Sequence, residues 1–128
     1  MKKIIFIFLF IFLVLLITCS SDKSKREKVL NDFKSSVEDK LDVFGNLDKY
    51  EVSGRDVTIH LLKEYDDMKE KGQIRFINKV CDIVFMAASD SGIYQIWDTV
   101  YVKVYSFDGK YLDTYLVERD SNYTDLSN

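Results

Sequence analysis

The residues best suited to reactive chemistry are few and scattered. His60 is the only histidine in the chain. Asp56 falls on the same side of the same alternating run, so a base or a metal ligand pair is conceivable there. A metal site needs three or four ligands at compatible spacing, and no further ligands stand near. A lone histidine carries no motif, and His60 is read as a half-exposed strand residue. Cys81 with His60 would make a nucleophile and a base. A reactive thiol needs a cation or a helix N-terminus beside it, with some exposure. Cys81 stands mid-helix between Val80 and Asp82, beside an apolar stripe, which fits a buried inert thiol. Glu64, Asp66, Asp67 and Glu70 are interleaved with Lys63, Lys69 and Lys71. That alternation describes a solvated helix end or loop, and the D-x-D-x-D calcium pattern with its glycine and terminal glutamate is missing. No catalytic set, metal site or cofactor site is therefore expected, and the chain is read as a non-enzyme.

The chemistry of contact is better represented. Trp97, Tyr101, Tyr105, Phe107, Tyr111 and Tyr115 crowd into nineteen residues, with Lys103 and Asp113 among them. Tyr and Trp offer large rigid contact area with a polar tip, as binding surfaces require. Cross-strand aromatic pairs also stabilise a sheet without any partner. Both readings of this face stand: a structural one, and a partner or ligand surface made of Trp97, Tyr101, Lys103, Tyr105, Phe107, Tyr111, Asp113 and Tyr115.

The start of the chain has a different character. Met1-Lys2-Lys3 is basic, and Ile4 to Ile17 is an uninterrupted apolar run of fourteen residues. Thr18-Cys19-Ser20-Ser21 ends it, and polar and charged residues follow. A basic head, an apolar middle and a small-residue end describe a secretory signal, too short to span a bilayer comfortably. Leu16-Ile17-Thr18-Cys19 resembles the lipobox of bacterial lipoproteins, with Thr18 where Gly, Ala or Ser is usual. The resemblance covers the first 19 residues only. It implies cleavage before Cys19, a thioether-linked diacylglycerol on its sulfur and a further acyl chain on its amine. Two or more chains anchor stably, where one binds marginally. Ordinary secretion and an uncleaved signal anchor are the competing readings. The expected organisation is a signal peptide over 1–18, a lipidated N-terminus and tether over 19–24, one domain over 25–119 and a polar tail over 120–128. The expected location is the cell membrane or outer membrane, facing away from the cytoplasm.

Elements that would position the aromatic face follow from periodicity. Ser24-Lys25-Arg26-Glu27 fits a capping box, and Val29, Leu30, Phe33, Val37 and Leu41 then recur at helical spacing. A first helix over about 25–43 is expected, stopped at Gly45-Asn46. A short hairpin over 49–53 and 56–62 turns at Gly54-Arg55, with Val57, Ile59 and Leu61 on one face. Tyr65 to Ala88 reads as a second helix, or Gly72 marks its start after a charged loop. A last hairpin pairs 99–106 with 110–119 about a three-residue turn with Gly109 left-handed. Its expected register sets Val104 against Leu112, Val102 against Thr114 and Val100 against Leu116. The other face then pairs Lys103 with Asp113, Tyr105 with Tyr111 and Tyr101 with Tyr115. The order α-β-β-α-β-β predicts an α+β two-layer sandwich, an antiparallel sheet with both helices on one face.

Composition bounds the rest. The chain has 128 residues, 47% hydrophobic and 30% charged, without proline. That apolar content excludes a disordered chain, and two cysteines exclude a disulfide scaffold. Without Lys2 and Lys3 the basic residues fall from 18 to 16 against 21 acidic ones, and the net charge moves from −3 to −5. An acidic domain lacks the basic footprint of a nucleic-acid binder. The expected partners are the membrane, through acylated Cys19, and another envelope protein. The expected function is a non-catalytic interaction module. A small-molecule carrier with a pocket between the second helix and the sheet is the alternative, and a small envelope enzyme a weaker one.

Overall fold

No proline or glycine occurs before Gly45, so nothing in the backbone chemistry interrupts a helix before that point. The computed structural model describes the backbone of residues 2–120 and 123–125 and the side chains of 23–120. In it α1 runs unbroken over Lys2–Phe44. The expected start at Ser24 is thus corrected. Ser24 and Glu27 are compatible with a helix interior, and a capping box starts a helix only where the preceding chain leaves the helical path. Phe33, Val37 and Leu41, one turn apart, are buried along a single stripe. Gly45 ends the helix at φ 74°, its N–H bonded to the Leu41 carbonyl at 2.9 Å. The signal and lipobox residues, Cys19 included, lie outside the residues whose side chains are described. Among the described residues, no helix is long and apolar enough to cross a membrane.

β1 (Leu47–Ser53) and β2 (Asp56–Leu61) form the expected hairpin about Gly54, which has φ 58°. Val57, Ile59 and Leu61 are buried and Asp56, Thr58 and His60 half-buried, the strict alternation of a sheet covered on one face. A 3₁₀ turn over Lys63–Asp67 leads into α2 (Glu70–Ser91). This start lies between the two expected ones. Met68 is extended at φ −78°, ψ 147°, and keeps the acidic cluster out of the helix up to Glu70. Gly92, left-handed at φ 81°, closes α2, and a second 3₁₀ turn over Ile93–Gln95 follows.

β3 (Thr99–Tyr105) and β4 (Tyr111–Glu118) form the second hairpin, and β5 (Tyr123–Asp125) pairs with β4. The tail expected to be a polar extension thus contributes an edge strand. The five strands stand in the order β1-β2-β3-β4-β5. Helices and sheet make the expected α+β arrangement, but the sheet is mixed, because β2 and β3 pair in parallel. The 22 residues of α2 span about 33 Å, enough to carry the chain back along the sheet so that β3 starts at the same end as β2.

One core holds the layers together. Val52, Val57, Ile59, Leu61, Val100, Val102, Val104 and Val117 form its sheet side, and the α1 stripe with Ile77, Val80, Cys81, Val84, Ala87 and Ala88 its helix side. Both helices pack against that face of the sheet and against each other. Tyr94 closes one end, donating its O–H to the Val117 carbonyl at 3.0 Å. Burial, then the negative charge of Glu118, pushes that phenol up to about 12.

The register of the second hairpin departs from expectation after one pair. Ser106 and Lys110 close a three-residue turn with Gly109 at φ 86°, and Tyr105 faces Tyr111, both as expected. Leu112 is then an extra residue, since Val104 faces Asp113. Beyond this bulge Lys103 faces Thr114, Val102 faces Tyr115, Tyr101 faces Leu116 and Val100 faces Val117. A single inserted residue sends every later side chain to the opposite face. The turn fixes the near end of β4, whereas burial of Val117 against Val100 and packing of Tyr115 on the core fix the far end. The bulge satisfies both.

Candidate functional site

The face of the sheet opposite the helices is built by Asp56, Thr58 and His60 of β2, by Tyr101, Lys103 and Tyr105 of β3, and by Tyr111, Thr114 and Leu116 of β4. Register sets Asp56 beside Tyr101, Thr58 beside Lys103 and His60 beside Tyr105. Most of these side chains are half-buried by their neighbours in the sheet. Tyr101, Lys103, Tyr105 and Tyr111 therefore share a face, as the pattern of the last hairpin indicated.

Three members of the expected face are elsewhere. Trp97, which precedes β3, packs on the core. Tyr115 turns to the helix side and packs on the core, and Asp113 turns the same way. The Asp113 carboxylate accepts the backbone N–H of Thr114 at 2.8 Å. For Tyr115 and Asp113 the cause is the Leu112 bulge. Lys103 consequently finds its carboxylate on the other neighbouring strand, with Nζ 3.8 Å from Asp56 Oδ2.

The face is polarised along the strands. At the β3–β4 turn, His60 stacks on Tyr105 with ring centres 5.1 Å apart and planes 18° apart. Tyr105 meets Tyr111 edge-on at 5.6 Å. The Tyr111 hydroxyl and the Thr114 hydroxyl are hydrogen-bonded. Beside them Phe107, Tyr111 and Leu112 are 48%, 52% and 43% exposed. At the opposite end two guanidinium groups lie over Trp97, Arg26 of α1 at 5.1 Å and Arg55 of the β1–β2 turn at 5.3 Å from the ring centre. Arg55 also lies 5.0 Å over the Tyr101 ring, and its carbonyl accepts the Tyr101 N–H at 3.0 Å. About 20 Å of strand separates the two ends.

Sequence reasoning missed Arg26, Arg55 and Leu112, whereas His60 is the half-exposed strand residue it expected. Arg55 had a partial signal, since Gly54-Arg55 is legible as the turn of the β1–β2 hairpin. Arg26 had none, because its contact crosses from α1 to a loop seventy-one positions later.

The remaining candidates stay apart. Cys81 is 1% exposed in the core, whereas His60 lies on the far face, so the sheet separates thiol from imidazole. Glu64, Asp66 and Asp67 occupy the exposed 3₁₀ turn. Among the described residues, no group of three or more His, Cys, Asp or Glu is placed to hold a metal. The space expected to form a pocket between α2 and the sheet is packed by Val80, Val84 and Ala88 against Val100, Val102 and Val104. A cavity of about 500 Å³ lies instead between α1 and α2, open and lined by Val43, Phe44, Ile83 and Met86 with Asp39 and Lys40. Comparison with family models, with curated proteins and with solved structures finds no match for this chain.

Proposed function

We propose that this chain is an acyl-anchored lipoprotein, held on the outer side of a cell membrane or outer membrane. Its domain works by non-catalytic contact with another envelope protein. The lipobox-like Leu16-Ile17-Thr18-Cys19 supports the anchor. The observation that carries the contact reading is the cluster at the β3–β4 turn. There Phe107, Tyr111 and Leu112 expose apolar surface beside the stacked His60–Tyr105 pair, on a sheet face that neither helix covers. Aromatic residues so grouped are typical anchors of protein interfaces. Their position at the sheet end away from Arg26, and hence away from Cys19, presents them outward from the attachment point.

A photo-reactive residue at position 111 in the membrane-attached protein tests this. It should cross-link one partner reproducibly, Phe107→Ser with Leu112→Ser should abolish the adduct, and the same probe at Val43 on α1 should give none. Adducts of equal yield from positions 111 and 43, or none from either, count against the reading. Fatty-acid labelling in the wild type and its absence in Cys19→Ser test the anchor separately.

A further inference from the structure

The segment of α1 that follows Asp22 carries a local excess of cations. The mature chain is acidic, yet from Lys23 to Asn31 there are four cations, Lys23, Lys25, Arg26 and Lys28, and one acid, Glu27. All five charged side chains are exposed on α1. Arg55 joins them from the β1–β2 turn, drawn in by the Trp97 and Tyr101 rings. Among the described residues neither Arg26 nor Arg55 has a carboxylate within ion-pair distance. Each lays its guanidinium face on an aromatic ring, which leaves the edge of the fork, with its N–H donors, directed away from that ring. Of the acids at this end, Asp56 beside Tyr101 is paired with Lys103 at 3.8 Å, and Asp98, Glu118 and Asp120 line a separate cavity with Arg119, which reaches Asp98 at 3.9 Å.

Three properties converge on this stack. Guanidinium forks match phosphate oxygens in planar, two-point geometry. Trp and Tyr settle at the headgroup level of bilayers, where an apolar ring and a polar tip are both accommodated. Cations beside a membrane attachment point are drawn to anionic lipid, at short range even when the protein as a whole is negative. Arg26 stands seven residues after Cys19 on one continuous helix, which is about 10 Å of axial distance.

We propose that Arg26, Trp97, Arg55 and Tyr101, with Lys23, Lys25 and Lys28 beside them, form a docking surface for the phosphate headgroups of an anionic bilayer. The surface seats the domain on the membrane in one orientation. It rests on the acyl-anchor reading, and gives the anchored domain one orientation: the Trp97 end lies down and the Phe107 end points out.

Trp97 is the only tryptophan, so its fluorescence reports from the centre of the surface. The acylated, membrane-purified full chain is reconstituted into vesicles of phosphatidylcholine, with or without phosphatidylglycerol for a third of the lipid. Parallel samples carry brominated acyl chains as quencher. On the anionic vesicles Trp97 emission should move to shorter wavelength and quenching should rise roughly twofold, with reversal in high salt. Arg26→Gln with Arg55→Gln should return both to the neutral-vesicle values, and Lys110→Gln at the opposite end should change nothing. Wild-type protein that floats with both vesicle types while Trp97 stays indifferent to lipid charge overturns the docking surface and leaves the anchor intact. Wild-type protein that floats with neither removes both. The comparison of vesicles needs no variant, so a folding defect in the double substitution does not decide it.

Discussion

Tyr94 shows what a single side chain does for this fold. It is nearly buried, and its hydroxyl holds the Val117 carbonyl on the strand whose register the bulge has just reset. Tyr94→Phe should keep the packing and cost about 1 kcal/mol, the net worth of a buried hydrogen bond, measurable by urea denaturation. The same phenol gives the protein an alkaline limit. An unfolded tyrosine ionises near 10, whereas Tyr94 in the fold holds its proton up to about 12. The unfolded chain therefore releases this proton first. The stabilisation is intact below pH 10 and declines as pH rises toward 12. Tyr50 adds to the same decline, because the Asp42 carboxylate accepting its O–H also pushes it up to about 12. Stability followed from pH 9 to 12 should fall less steeply in Tyr94→Phe than in the wild type, and a parallel fall would show that Tyr94 ionises as freely as in the unfolded chain.

Among the elements, the second hairpin is the most instructive. Its turn depends on Gly109 at φ 86°, with open space around the missing Cβ. Gly109→Ala should thus cost about 1 kcal/mol from backbone conformation alone, without a clash, and thermal unfolding can read it. The buried alternation of Val57, Ile59 and Leu61 and the stripe of Phe33, Val37 and Leu41 were legible, because each depends only on spacing within one element. So was the meeting of Tyr105 with Tyr111, which the turn enforces. The Leu112 bulge was not legible. Each half of β4 satisfies a different neighbour, and the demand on the far half comes from the core on which Tyr115 packs and from Tyr94, both outside the hairpin. The exchange of Tyr115 and Asp113 for Leu116 and Thr114 on the aromatic face follows from that one residue. The start of α1 was misplaced for another reason: a local capping signal cannot report that the helix had begun twenty-two residues earlier.

At the level of the whole molecule, the parallel joint between β2 and β3 organises everything else. Neither strand's own residues announce its direction relative to the other, since direction is set by the length of α2 between them. The joint places both strands in the middle of the sheet, hydrogen-bonded on two sides and covered by the core on one face. Their amides should be the slowest to exchange with deuterium, and those of β1 faster, because openings begin where the fewest contacts must break. Slower exchange in β1 than in β3 would mean that the edge is protected by something outside the chain. The same joint sets the two ends of the aromatic face apart, with Trp97 and Arg55 where β2 and β3 begin, and His60 and Tyr105 where they finish.

β1 leaves one border of the sheet open, and its irregularity between Leu47 and Lys49 falls on that border. Asp48, Lys49 and Glu51 all project into solvent there. A straight, uncharged border would offer its unused amides to the same border of a neighbouring copy, and identical chains packed side by side would zip into fibrils. The kink spoils the match in spacing, and the alternating charges resist being stripped of water, so crowding does not become polymerisation.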